Sequence, residues 1–280
     1  MSEIGEVVSV AAGHSPGAKE CPFCPEEEPK AYTTHPGAAN DSGALEEIMG
    51  KPSRLPSKQG GARPKEGEKD QQSASISQPK PTPIYTSPDP KRGAYSCEAH
   101  HLISGKQALD GEPVERWIAA SKGKIERDTG YSVNNADNGF WAPSIPEQYK
   151  GGSWGPKSFE EKFAIAIEVM EKTQRQFHKG HHAITDPDDP GGDLHPSYDK
   201  YLKKKLAEID ERIEAWSNAC QLCKPDKKPQ PSVTTNQIFD NLSSLMRNKL
   251  SGPRQGWNVF LSKYALEYHK PVCTHKRTRL

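Results

Sequence analysis

The stretch Cys97-Glu98-Ala99-His100-His101-Leu102-Ile103 places two adjacent histidines at the end of a short apolar segment. Its pattern predicts a strand over Ser96–Ile103 that ends in the two histidines. Imidazole titrates near neutral pH and also binds metal ions. One of the two histidines can therefore hold a divalent metal while its neighbour takes a proton from water.

Two further polar clusters follow along the chain. The first is Asn134-Asn135-Ala136-Asp137-Asn138-Gly139, and the second consists of His178, His181, His182 and His195. The motifs Ala-His-His and Asn-Asn-Ala-x-Asn-Gly resemble those of the AHH nucleases of the HNH/endonuclease VII superfamily, which are known mostly as bacterial toxin domains. The resemblance covers about residues 93–206. It implies a ββα core, a β-hairpin followed by a helix, that grips one divalent metal ion such as Mg²⁺.

The resemblance also implies roles for individual residues. His101 aligns with the general base that deprotonates water, and His100 aligns with the metal ligand before it. The middle asparagine of such a site bonds backbone groups around the first strand and fixes the histidine ring. Asn134, Asn135 and Asn138 are the candidates for this role. The family motif favours Asn135, with Asn138 as a turn residue.

The remaining metal ligand is where the chain departs from the family pattern. Family members close with a run resembling His-x-Gly-x-His-x-x-Tyr at the start of a helix. Here His178-Lys179-Gly180 matches the front of that run and His195-Pro196-Ser197-Tyr198 matches the back, with an inserted loop between them. His195 is the first choice because it precedes the helix, His178 is the second, and His181 or His182 the third. If His195 is the ligand at the helix entrance, its ring should lie within about 5 Å of His100, given metal–nitrogen bonds of about 2.0–2.1 Å.

Composition divides the chain into three segments. Only 32% of the 280 residues are hydrophobic, and 25 are proline and 23 glycine, so one core through the whole chain is not expected. Residues 1–92 are mostly irregular, with a short helix at Gly43–Met49. Residues 93–216 form the nuclease-like domain, and residues 217–280 form a basic helical region. The predicted fold class is mainly α with a small β-hairpin.

Hydrophobic periodicity predicts the helices. Those after the hairpin are expected at Ser158–Phe177, from Pro196 to about Trp216, at Val233–Leu250 and at Gly256–Tyr268, and a shorter one at Pro113–Ser121. Strands flank the asparagine-rich turn, and Pro143 and Pro146 are expected to stop any strand.

Positive charge is concentrated at the C-terminal end. Residues 217–280 carry 11 Lys and Arg against 3 Asp and Glu, whereas the rest of the chain is net acidic. A basic segment attracts polyanions such as DNA. The residues expected to contact nucleic acid are Lys203, Lys204, Arg247, Lys249 and Arg254.

Two Cys-x-x-Cys pairs bracket the nuclease-like segment. Four thiolates from Cys21, Cys24, Cys220 and Cys223 are the usual ligand set of a structural zinc, which would brace a thin core. A rival set joins Cys273 and His269 or His275 to the second pair, and disulfides are a third option. Cys97 is expected to be a small buried residue.

Taken with the resemblance, these features predict a metal-dependent endonuclease that acts on DNA as an antibacterial toxin. The resemblance implies delivery from the producer's cytoplasm by a type VI or related secretion system, and an immunity protein as partner. No secretory signal and no membrane span are visible in the sequence. The alternatives are an RNase using the same histidines and a zinc-braced nucleic-acid-binding or interaction module without catalysis.

Overall fold

The computed structural model describes residues 32–33, 42–49, 54–55, 73–74, 78, 80–86, 93–117, 124–125, 133–179, 197–219 and 233–277. Helices dominate these residues. The α-helices are α1 (Ser42–Met49), α2 (Phe159–Thr173), α3 (Tyr198–Ala219), α4 (Val233–Leu250) and α5 (Lys263–Arg277). The strands are β1 (Tyr32–Thr33), β2 (Arg54–Leu55), β3 (Ser73–Ala74), β4 (Tyr95–His101), β5 (Lys124–Ile125) and β6 (Gly139–Pro146).

Three two-stranded sheets are present among the described residues: β1 with β5, β2 with β3, and β4 with β6. The β4–β6 sheet is the predicted hairpin, and β4 ends at His101 as expected. The expectation that Pro143 would stop a strand is wrong, because β6 runs through it, whereas Pro146 does end the strand. The carbonyl of Pro143 accepts the backbone N–H of His178, on the edge of β6 that does not pair with β4, so the missing proline N–H interrupts no pairing of the sheet.

Local capping explains where α2 begins and ends. The Ser158 hydroxyl accepts the N–H of Glu161, and the Glu161 carboxylate accepts the N–H of Ser158, which forms a capping box. The helix ends at Thr173, four residues before the predicted Phe177, where Gln174 turns the chain with φ 51°. This early end frees the following segment to leave the helix as extended chain.

Periodicity predicts one apolar face on α3, and this face is confirmed at the five positions whose side chains the structure describes; the side chain of Trp216, also predicted there, lies outside them. Tyr198, Leu202, Leu206, Ile209 and Ile213 are all buried, and Lys203 and Lys204 are exposed. The hydroxyl of Ser197 accepts the N–H of Lys200 at 3.3 Å, so a serine caps the start of this helix.

The C-terminal helices agree with the sequence in part. Helix α4 has the predicted bounds, but the helix predicted at Gly256–Tyr268 begins only at Lys263 and continues to Arg277. Before it, Arg254–Gly256 forms a 3₁₀ turn, followed by a loop that buries Trp257, Val259, Phe260 and Leu261. Tertiary burial of this apolar loop overrides its helical periodicity. The helix predicted at Pro113–Ser121 is a 3₁₀ helix over Pro113–Trp117, and residues 118–123 lie outside the described ranges.

The chain divides into two compact units. The first unit contains residues 1–79, 101–139 and 202–244, and the second contains residues 80–100, 140–201 and 245–280. The division into segments 1–92, 93–216 and 217–280 remains a prediction.

In the first unit α1 packs on the 3₁₀ turn Ala136–Asn138. A Cβ at Gly139 would lie 2.5 Å from the Met49 sulfur, so the flexible Met49 side chain would have to shift to admit a larger residue. The side chain of Gln78 donates to the carbonyl of Ala136 at 2.7 Å. The short helix predicted at Gly43–Met49 is thus confirmed, and it supports the asparagine-rich turn.

The second unit has its own hydrophobic core, which joins the β4–β6 sheet to α2 and to the loop and helix at the C-terminal end. Its members include Tyr95, Ile145, Trp154, Val169, Met170, Phe177, Trp257, Phe260 and Leu266. Among the helices of the described ranges, none is both long enough and apolar enough to cross a lipid bilayer.

Candidate active site

Strand β4 presents His100 and Glu98 on one face, because alternate residues of a strand point to the same side. Both contribute to one cluster of the second unit. His100 is 3% exposed, and its ring centroid lies 5.0 Å from that of His178. The second-choice ligand His178 is therefore brought to the distance expected of a ligand partner of His100.

The segment that carries His178 is held from several directions. The backbone N–H of His178 donates to the carbonyl of Pro143 on β6 at 2.8 Å. Two residues earlier, the fully buried Gln176 donates its side-chain amide to the carbonyl of Val259 and accepts the N–H of Leu261. The extended chain after α2 is thus fixed in the second unit by β6 and by the buried loop before α5.

Glu98 also lies close to His178. Its carboxylate oxygen is 3.3 Å from Nδ1 of His178. The pKa of Glu98 is lowered chiefly by the His178 side chain, with burial acting in the opposite direction and the Ser144 side chain reinforcing the lowering. A carboxylate beside Nδ1 is the usual partner of a histidine that binds a metal through Nε2.

The separation of the two rings can be compared with that required by a metal. Two imidazoles bonded to one ion through bonds of about 2.0–2.1 Å have ring centroids about 4.5–5.2 Å apart. The observed 5.0 Å fits this range. Within the described ranges no group of three or more His, Cys, Asp and Glu side chains is gathered as a metal site. The described residues therefore bring together two imidazoles and one carboxylate.

The family motif His-x-Gly-x-His-x-x-Tyr is split here by the inserted loop, and residues from both parts of it lie against His100. Tyr198, from the back half, lies with its ring centroid 5.6 Å from that of His100, in an edge-to-face arrangement. His178, from the front half, lies on the same imidazole. This is what an insertion between the halves requires. His181, His182 and the first-choice ligand His195 lie outside the described residues.

His101 belongs to the first unit and has a different partner. Its Nε2 lies 2.8 Å from the side-chain oxygen of Asn134. That oxygen only accepts hydrogen bonds, so Nε2 carries the proton and Nδ1 is the basic nitrogen of the ring. His101 is 7% exposed, and Asn134 is the asparagine that fixes its tautomer.

The other two asparagines have separate tasks. The Asn135 side chain caps the 3₁₀ turn by accepting the N–H of Asn138 at 2.9 Å. Asn138 is fully buried; its oxygen accepts the N–H of Ile103 at 2.7 Å, and its amide nitrogen donates to the carbonyls of Ile103 and Val133. The backbone bonding beside the first strand, expected of Asn135, is thus made by Asn138, which is more than a turn residue. A catalytic role for Asn135 remains a prediction.

A comparison with protein families agrees with this geometry. A nuclease family of the HNH/ENDO VII superfamily with conserved AHH matches residues 85–238, more than half of the chain. The chain belongs to this family. Its Ala-His-His word is Ala99-His100-His101. No curated protein and no solved structure matches the chain.

In this AHH nuclease, the basic residues expected to bind nucleic acid differ in accessibility. Lys203 and Lys204 are exposed on α3, and Lys203 pairs with Glu112 at 2.7 Å. Lys249 is 9% exposed, with its ammonium 5.0 Å from the centre of the Tyr201 ring. Arg254 is partly buried and stacks on Tyr268. Together with the partly buried Arg247, these two are less suited to phosphate contacts than the exposed lysines of α3.

The cysteines of the predicted zinc site, Cys21, Cys24, Cys220 and Cys223, lie outside the described residues of the nuclease. Cys97 is buried, as expected, and forms no disulfide.

Glu98 was not assigned a role from the sequence, and Asn134 was only one of three candidates for fixing the histidine ring, with Asn135 favoured. Glu98 could have been found, because it shares a strand face with His100. The contact of Asn134 with His101 depends on side-chain rotamers inside a turn, for which the sequence holds no signal.

Proposed function

We propose that this AHH nuclease is a metal-dependent endonuclease that hydrolyses phosphodiester bonds in DNA. The observation that carries the proposal is the pair His100–His178, with ring centroids 5.0 Å apart and Glu98 at Nδ1 of the second ring. The next residue along the chain is His101, whose tautomer Asn134 fixes. His100 and His101 thus place one proposed metal ligand and the proposed proton acceptor in consecutive positions of one strand.

The proposed reaction uses His101 as the general base. Its Nδ1 takes a proton from water, and the oxygen of that water attacks the phosphorus while the bond from phosphorus to the 3′-oxygen breaks. The departing 3′-oxygen takes a proton from solvent, which leaves 5′-phosphate and 3′-hydroxyl ends. A divalent ion held by His100 and His178 would stabilise the negative charge that develops on the phosphate and leaving oxygens. Asn134 keeps the imidazole in the tautomer that accepts at Nδ1, and Asn138 holds the backbone two residues after it.

Substrate binding is proposed to use the exposed lysines of α3, Lys203 and Lys204. They contact phosphate rather than bases, so binding should be weakly dependent on sequence and strongly dependent on salt.

The biological role proposed is that of an antibacterial toxin. It rests on the resemblance to toxin domains and includes delivery from the producer's cytoplasm by a secretion system and neutralisation by an immunity protein. Expression of the chain in the cytoplasm of a bacterial host should arrest growth, whereas expression of the His101→Ala variant should not. Equal growth of both strains at equal protein levels would contradict the toxin role.

The experiment that tests the proposed activity is incubation of the purified chain with plasmid DNA and with structured RNA under a panel of divalent ions. Nicking of DNA that stops on chelation and returns with added metal is the expected result. Cleavage of RNA alone would assign an RNase, and cleavage of neither under any ion would leave a binding module without catalysis.

Glu98→Gln is predicted to weaken metal binding by about 10–100-fold, because loss of a carboxylate behind a ligating histidine has effects of that size. The substitution keeps the shape of the side chain and removes its charge. Titration calorimetry with the divalent ion measures the affinity. Glu147→Gln is the matched control, since Glu147 is an exposed residue of the same unit and pairs only with Lys150 in the described structure. Equal affinities of the two variants would remove Glu98 from the site.

We also propose a structural zinc held by Cys21, Cys24, Cys220 and Cys223. Cys220→Ser is predicted to lower Tm and zinc content together, because the binding energy of a structural zinc contributes directly to folding. Protein purified without added metal should contain about one equivalent of zinc. Cys97→Ala is the control, which should keep the zinc. Wild-type protein free of zinc would contradict this site.

A further inference from the structure

The buried amide of Asn138 has one partner far along the chain. The hydroxyl of Ser243, on α4, donates to the Asn138 side-chain oxygen at 2.9 Å. The same oxygen accepts the N–H of Ile103, and the amide nitrogen donates to the carbonyls of Ile103 and Val133. All these residues belong to the first unit. The side-chain amide of Asn138 therefore makes four hydrogen bonds while fully shielded from solvent.

Ser243 lies on the buried face of α4, which also carries the buried Asp240 one turn earlier. It is fully buried, as are Phe239 and Leu242 close by in sequence. A buried hydroxyl destabilises a protein unless it forms a hydrogen bond, so an alanine would suit this face of α4 better if packing alone mattered. The hydroxyl is instead directed to the Asn138 amide. The family match ends at residue 238, so the comparison assigns no role to Ser243.

The hydroxyl determines which way the Asn138 amide faces. Two donors, the Ser243 hydroxyl and the Ile103 N–H, meet at the amide oxygen, and two carbonyls meet the amide nitrogen. A flipped amide would place its own N–H groups against the Ile103 N–H and its oxygen against two carbonyl oxygens. The second donor from α4 therefore strengthens the one orientation that clamps both backbone groups of Ile103.

We propose that Ser243 is a positioning residue for the general base. It fixes the Asn138 amide, the amide clamps the backbone of Ile103, and this clamp holds the end of β4 that carries His101 two residues earlier. The inference rests on the proposed nuclease function. It makes α4 part of the support of the catalytic strand, in addition to any contribution its basic residues make to DNA binding.

The test is the Ser243→Ala variant of the full chain, compared with wild type and with Ser244→Ala. Ser244 is the exposed next residue of the same helix, so its substitution repeats the chemical change without touching Asn138. At saturating metal and well below Tm, S243A should lower kcat about three- to tenfold, the effect of one lost neutral hydrogen bond, with unchanged KM and metal affinity. Ser243→Thr, which restores a hydroxyl, should recover part of the loss. Ser243→Cys, which keeps the side-chain shape with a weak donor, should behave like S243A.

A second measurement does not depend on cleavage. Hydrogen exchange of the Ile103 amide should be faster in S243A than in S244A, because its acceptor is less firmly held. An active wild type with equal kcat in S243A and S244A, or an Ile103 amide that exchanges equally in both, would overturn the inference. A change in KM or metal affinity without a change in kcat would overturn it as well. A wild type that cleaves neither DNA nor RNA would instead overturn the proposed function, and the assignment to the general base with it.

Discussion

His101→Ala is expected to lower the rate of DNA cleavage by roughly 10²–10⁴-fold, the usual contribution of a general base. The substitution removes the imidazole whose Nε2 proton is held by Asn134 and whose Nδ1 accepts the proton of water. His100 and His178 remain, so metal affinity and DNA affinity should stay near those of wild type. Single-turnover cleavage at saturating metal, together with a metal titration, measures both quantities.

Asn134→Ala gives a graded comparison for this prediction. It keeps the base but removes the acceptor that fixes its tautomer, so the rate should fall less than in H101A. Recovery of H101A at high pH would support the assignment, since hydroxide then needs no base. Near-normal cleavage by H101A at neutral pH would show that another group takes the proton, and the proposed mechanism would be wrong.

Features set by local sequence were predictable. The capping box at Ser158 and Glu161 and the apolar face of α3 depend on residues three or four apart, and periodicity identifies such patterns. The strand at His100 and His101 was also predicted, because an apolar segment is broken by the polar turn that follows.

Features set by tertiary contacts were not predictable. Pro143 was expected to end a strand, and whether it does depends on which edge of β6 faces a partner. The loop before α5 has helical periodicity, yet it is buried as an irregular segment around Phe260. In both cases the deciding contact comes from residues more than thirty positions away.

The same distinction applies to the site. The adjacent histidines could be found from their sequence motif. The alternation of side chains along a strand predicts that Glu98 shares a face with His100. The sequence favoured His195 over His178 because it precedes the helix, and it held no signal that His178 lies against His100; His195 itself lies outside the described residues. Ser243 lies 105 positions after Asn138, and a serine within a helix carries no sign of such a contact.

His178→Ala is expected to weaken divalent metal binding by about a hundredfold or more, since removing a ligand should exceed the 10–100-fold effect of losing a residue behind it. Cleavage should be lost at low metal concentration and partly restored by excess metal, because one ligand is absent while His101 remains. This rescue separates a ligand from a base: H101A should not respond to added metal. Calorimetric titration and cleavage across a metal series give the two readouts.

Comparing His195→Ala with His178→Ala decides between the two candidate metal ligands of the split family motif. If His178 holds the metal with His100, H178A should lose affinity and H195A should lose less. If both variants lose affinity equally, both histidines ligate, and the two imidazoles described become part of a three-histidine set. Wild-type affinity in H178A, combined with its loss in H195A, would mean that the ring 5.0 Å from His100 is only a packing neighbour. The carboxylate of Glu98 argues against that outcome, because it lies 3.3 Å from Nδ1 of His178, where a histidine that binds metal through Nε2 usually has a carboxylate partner.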